Sequence, residues 1–249
     1  MDEAVVELRE IGPNIVQVTM QDREHKNTFS KKIISGLVTS FDSIRNNKNI
    51  KVVILTGYDS YFSSGGTQDE LLMLQKGNMK FTDIAIFSLA LECEIPVIAA
   101  MQGHGIGGGF VMGLFCDFVI LSRESVYTTN FMKYGFTPGM GATYILPKKM
   151  GFSLAQEMLM NAARYRGEEL QNRGLPFPVV PRKDVLPNAI RLANELAEKP
   201  RDSLITLKDH MVAPLRRDLP GIIEQEVIMH QKTFQQAEVK EKINALFGY

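Results

Sequence analysis

The chain has 249 residues, with 28 Lys+Arg balanced by 28 Asp+Glu, and is 45% hydrophobic and 22% charged. This length suits one large domain, or one domain with an appendage, and the composition excludes a disordered or collagen-like chain. The zero formal charge argues against nucleic acid as the main partner. Cys93 and Cys116 are too few for a disulfide scaffold and lack metal-ligand spacing, so a reducing cytoplasm is the expected location. The N-terminal MDEAVVELRE has no basic stretch leading into an apolar run, as a signal peptide would. The longest apolar run, Phe110 to Leu121, carries Asp117 and falls short of the ~20 residues of a membrane span.

In chain order, residues 4–20 read as a β-hairpin, with alternating runs flanking the turn Gly12-Pro13-Asn14. An amphipathic helix follows from about Ser30, its apolar stripe formed by Ile33, Ile34, Leu37, Val38, Phe41 and Ile44. Val52-Val53-Ile54-Leu55 is short and β-branched, as a buried parallel strand should be, and a Gly/Ser loop from Tyr61 to Thr67 follows it. The pattern repeats as a helical stretch at 81–92, a strand at 97–100 and a glycine-rich loop from Gly103 to Gly109. A short helix to Cys116 then leads to a strand at 118–121. This alternation predicts an α/β fold with parallel pairing. After about residue 185 only helical patterns remain, at 185–198, 201–212 and 218–246, separated by Pro200 and Pro214. The division expected is a core over 1–184 and a helical region over 185–249. Such a region is too small to bury its apolar faces alone and must pack on the core or on another subunit.

Gly103-His104-Gly105-Ile106-Gly107-Gly108 matches a dinucleotide fingerprint, but it lies in mid-chain and opens only a short helix. More informative is the presence of two glycine loops, each directly after a buried strand. Backbone N–H groups at such loops can converge on one acyl oxygen and stabilise charge that develops there.

Several segments together resemble the crotonase (enoyl-CoA hydratase/isomerase) superfamily over nearly the whole chain. They are His25-Lys26-Asn27-Thr28-Phe29, Val53-Ile54-Leu55-Thr56-Gly57, Phe62-Ser63-Ser64-Gly65-Gly66, Gly103 to Gly109, Phe115-Cys116-Asp117 and Gly135 to Gly141. The resemblance implies a spiral of ββα units with a C-terminal helical region that builds trimers, or hexamers of paired trimers. It places oxyanion-hole amides at Gly66 and Gly108, and a pantetheine arm along Lys26 and the loop that holds Ser64. It implies no cofactor beyond the phosphopantetheine that carries the substrate.

Hydratases of this family use two glutamates to handle water, and the matching positions here are Val111 and Phe131. With both acids replaced by apolar side chains, water addition is not expected. An apolar pocket with an oxyanion hole suits loss of CO2, which leaves an enolate and then needs only one proton. The second half of the resemblance is accordingly to the decarboxylating crotonases of bacillaene-type polyketide β-branching cassettes. These convert a 3-methylglutaconyl thioester to a 3-methylcrotonyl thioester. That branch implies a lysine after the first oxyanion loop, here Lys80 with Lys76 as its rival, and a histidine on the C-terminal helix, here His230. By sequence alone His230 lies on an apolar stripe between Val227 and Phe234, where a core histidine is the other reading. The expected partner is an acyl carrier protein or an acyl-CoA, with a homotrimer as the assembly. The alternatives are an enoyl-thioester isomerase and a non-catalytic acyl-binding relative.

Overall fold

The computed structural model describes residues 4–76 and 86–247. Ten strands form two sheets among these residues. The hairpin is strands β1 (Val6–Gly12) and β2 (Ile15–Met20), turning through Asn14 at φ 64°. Helix α1 (Lys31–Asn46) starts where expected, with the Ser30 hydroxyl accepting the Ile33 N–H. It buries Ile33, Leu37, Phe41 and Ile44. Strand β3 (Val52–Thr56) is buried along its whole length, because a central parallel strand is covered on both faces. After β4 (Tyr61–Ser63) come helices α2 (Gln68–Gln75) and α3 (Leu89–Glu92), then β5 (Val97–Met101) and β6 (His104–Ile106). Helix α4 (Gly108–Leu114) is followed by β7 (Phe118–Ser122) and β8 (Val126–Thr128). Helices α5 (Ala142–Met150) and α6 (Phe152–Asn161) lead to β9 (Tyr165–Arg166), α7 (Gly167–Asn172) and β10 (Val179–Val180). Helices α8 (Arg182–Ala197), α9 (Arg201–Thr233) and α10 (Ala237–Leu246) close the chain.

The larger sheet has the order β1-β2-β3-β5-β7-β10, parallel except for the β1–β2 hairpin. One face is covered by α8, whose Val185, Ala189 and Ala193 pack on Ile15, Val52, Ile54, Ile98 and Ile120. The other face carries the main core, including Val53, Leu55, Ala99 and the aromatic side chains Phe29, Phe62 and Phe110. The smaller sheet, β4-β6-β8-β9, was not expected from the sequence. Its strands have two or three residues each, too short to show a period, and β4 and β6 sit inside what reads as glycine-rich loop. It nonetheless brings the two loops together, since Tyr61 pairs with His104 and Ser63 with Gly105 in parallel register.

The helical region differs from expectation at Pro214. Helix α9 runs for 33 residues through both Pro214 and Pro220. Each proline forfeits one backbone hydrogen bond. Both are exposed, where water can satisfy the freed carbonyl. The break comes instead at 234–236, before α10. Of the helical stretch expected at 81–92, residues 81–85 lie outside the described residues and α3 forms its end.

Helix α9 is tied to the core by a buried cation. Lys208 Nζ lies 2.7 Å from Asp117 Oδ2 and donates to the carbonyls of Ala90 and Ile95 at 2.9 and 3.0 Å. Asp117 also accepts the Val97 N–H at 2.8 Å, which gives this residue the structural role at the strand start that its position suggests. Its neighbour Cys116 is fully buried, and burial pushes its thiol up to about 12, so it is inert at neutral pH. No described helix is long and apolar enough to cross a membrane.

Candidate active site

The two glycine loops meet at one point. Gly65, at φ 79°, bridges Thr28 in parallel fashion, and its carbonyl accepts the Phe29 N–H at 2.8 Å. A Cβ on Gly65 would stand 2.9 Å from the Ile106 carbonyl oxygen and 3.1 Å from the Gly108 nitrogen. Only glycine permits that approach and that φ. Gly107, at φ 54°, caps α4, so Gly108 is its first residue and its N–H is among those a helix cannot satisfy itself. Gly66 and Gly108 line the same inner chamber, of about 40 Å³, with Phe29, Phe131, Phe136 and Met140 among its walls. Two glycines from separate loops thus border one chamber with several apolar walls, and an oxyanion hole needs two backbone N–H groups that converge in such a space.

The chamber opens into a groove of about 660 Å³, and Ser64, Asn130, Tyr134 and Phe247 line both. The groove also carries Lys26, Lys133 and Arg164. Lys26, at φ 55°, holds the first loop through its backbone, its carbonyl accepting the Ser64 N–H at 3.1 Å and hydroxyl at 2.8 Å. The Lys26 ammonium sits 5.8 Å from the Tyr61 ring centre. His104 lines the groove but serves the loop's shape, because its Nδ1 accepts the Val126 N–H at 2.9 Å. Burial and the charges of Arg182, Arg164 and Arg166 lower its pKa, in keeping with an Nδ1 that accepts a hydrogen bond.

Of the residues singled out by sequence, Gly66, Gly108 and Phe131 meet in the chamber, Ser64 lies at its mouth and Lys26 lines the groove. Val111 is fully buried in the main core, on α4, and is not among the chamber walls. Lys80 lies outside the described residues, and its rival Lys76 is the exposed C-cap of α2. His230 stands one layer behind the chamber wall. Its Nε2 is 2.6 Å from the Thr137 carbonyl oxygen, so the neutral ring donates there. It packs edge-to-face against Phe234 and Phe136, and a Cβ on Gly139 would overlap it. Burial lowers its pKa to about 4.

Glu70, which no motif in the sequence analysis singled out, also lines the chamber. Its Oε2 accepts the Thr67 N–H at 3.0 Å while its own N–H donates to the Thr67 hydroxyl at 3.2 Å, a capping box at the start of α2. The Thr-x-x-Glu spacing after Gly66 was the signal that marked it. The aromatic walls Tyr134, Phe136 and Phe247 carried no such signal, because Phe247 comes from the far end of the chain, more than 100 residues from the other two.

The enoyl-CoA hydratase/isomerase family model matches residues 10–247. The bacillaene synthase decarboxylase PksI of Bacillus subtilis is 66% identical over the full length of both chains. A solved structure from a dehydratase/decarboxylase couple of polyketide β-branching superimposes with a TM-score of 0.97 at 66% identity, covering 98% of this chain and all of that one. The ECH2 decarboxylase domain of CurF from Lyngbya majuscula does so with a TM-score of 0.94 at 48% identity, covering 97% of this chain and 99% of that one. The paired glycine loops and the match along nearly the whole chain have one conclusion: the protein belongs to the enoyl-CoA hydratase/isomerase, or crotonase, family.

Proposed function

We propose that the protein is a carboxy-lyase that converts a 3-methylglutaconyl thioester, held on an acyl carrier protein, to a 3-methylcrotonyl thioester. The bond between the terminal carboxylate and its carbon breaks, CO2 leaves, and the electron pair passes into a dienolate whose negative oxygen lies between the N–H groups of Gly66 and Gly108. A proton added at carbon completes the reaction. The observation that carries the reading is the chamber, where Gly66 and Gly108 from the two loops share walls with Phe29, Phe131, Phe136 and Met140. In this reading their amides hold the oxyanion, and Phe131 stands where the family resemblance puts a hydratase's water-handling acid. The whole-length likeness to a named decarboxylase points the same way.

In this reading Lys80 orients the departing carboxylate by a charge-assisted hydrogen bond, and Lys26 and Ser64 guide the pantetheine arm. His230 is the proposed source of the proton. The bond to Thr137 favours a second role for it, as a clasp on the wall segment 136–140. Lys80→Ala and His230→Ala, followed separately for CO2 and for product isomer, distinguish these roles. A proton donor leaves CO2 release linked to a changed isomer ratio, whereas a clasp lowers the rate with the ratio intact. Glu70 keeps one rival open, a double-bond isomerase that uses this carboxylate as its base. Incubation with a 3-methylglutaconyl thioester separates the two, since an isomerase releases no CO2. We further propose a homotrimer, supported by the exposed Leu207, Met211 and Ile228 along α9, and a cytoplasmic location.

A further inference from the structure

Helix α9 grips one wall of the chamber from outside. Glu226, only 3% exposed, accepts the Gly141 N–H at 2.7 Å through Oε2, and the Thr143 N–H at 2.9 Å and the Thr143 hydroxyl through Oε1. One helical turn further on, His230 meets the Thr137 carbonyl, and Thr233 Oγ1 accepts the Thr137 N–H at 3.3 Å. Three side chains of one helix face thus hold both ends of the segment 137–143.

The residues between those ends are held in an unfavourable backbone. Met140 has φ 63° and Gly141 φ 73°, so two consecutive residues are left-handed, and the first is not a glycine. That conformation costs roughly 1–2 kcal/mol for an L-residue and persists only where the surroundings over-determine it. Its result is to aim Met140 inward. The side chain is 3% exposed and lines the chamber. A Cβ at Gly108 would lie 2.9 Å from Met140 Sδ and 2.9 Å from a Phe29 ring carbon.

Three donors converge on the Glu226 carboxylate, at the N-terminus of α5, so α5 is capped by a side chain from α9 rather than by its own N-cap Gly141. We infer that Glu226 is a positioning residue for the decarboxylation site: it locks the left-handed Met140–Gly141 turn and so sets Met140 against the Gly108 amide and the bound acyl group. The kinetic part of this inference rests on the proposed reaction, whereas the placement of Met140 does not.

The test uses the full chain as Glu226→Gln and Glu226→Ala beside wild type, labelled with 13C-methyl methionine, with the Met140 resonance assigned by Met140→Leu. Circular dichroism establishes which variants are folded, and Thr143→Ala, which removes one donor of the three, serves where a Glu226 variant is not. The expected result is a displaced or broadened Met140 resonance together with kcat lowered by ~10–100-fold and KM changed far less. Glu226→Gln, which keeps one acceptor oxygen, should be milder than Glu226→Ala. A folded variant with the Met140 resonance unmoved, or with wild-type kcat despite lower thermal stability, overturns the inference and leaves Glu226 a purely structural cap. Absence of CO2 release from wild type overturns the proposed reaction instead, while the resonance still decides the positioning.

Discussion

At Gly108 a single side chain separates the two halves of the account. A Cβ there meets Met140 Sδ and Phe29 at 2.9 Å, so Gly108→Val both fills the chamber and pushes its walls. The valine keeps the backbone N–H but blocks or tilts the acyl group away from it. Losing the use of one oxyanion donor typically lowers rate by ~100–1000-fold, and the variant should show that loss with secondary structure intact. Turnover near wild type, measured on folded protein, would remove the Gly108 amide from the site. His230 carries a second residue-scale prediction. Its folded pKa, about 4, lies below the ordinary histidine value, so the unfolded chain takes up the proton first as pH falls. The stability tied to the neutral ring is full above pH ~6.5 and is lost as pH drops toward 4. Urea midpoints of wild type and His230→Gln should therefore converge between pH 7 and pH 4.5, and a constant gap would contradict the buried neutral imidazole. That Gly66 and Gly108 lie together was legible at this scale because loop glycines leave local marks, whereas Phe131 was singled out only through the family resemblance. The clasp made by His230 was not, since its partner Thr137 lies 93 residues away.

Among the elements, the alternation of hairpin, helix and buried strand was readable because each has a clear period. Strands β4, β6, β8 and β9 have none, and their pairing depends on partners far along the chain. Pro214 misled for a related reason. A proline signals a break only where its lost hydrogen bond cannot be replaced, and packing of α9 against the core keeps the helix running. That packing depends on Lys208, buried against Asp117 and two carbonyls. Lys208→Ala leaves Asp117 without its cation and should destabilise the fold by about 3–5 kcal/mol. Chemical denaturation reads this directly. A loss below about 1 kcal/mol, as for an exposed pair, would mean that α9 is not anchored there.

Across the whole molecule, the chamber, its groove and the long helix behind its wall form one device for an acyl thioester. If α9 also meets a second copy, replacing Leu207 and Met211 with Lys should shift the protein to monomer in light scattering while the fold persists. A wild-type monomer at micromolar concentration would contradict the proposed trimer. The central claim is that this crotonase removes CO2 and does not add water. The direct measurement supplies a 3-methylglutaconyl thioester and a crotonyl thioester in parallel, follows CO2 from the first, and follows hydration of the second. Rapid CO2 release, a 3-methylcrotonyl product and no appreciable hydration are the expected results. Water addition to the crotonyl thioester at a rate comparable to CO2 release, or no CO2 at all, would contradict it.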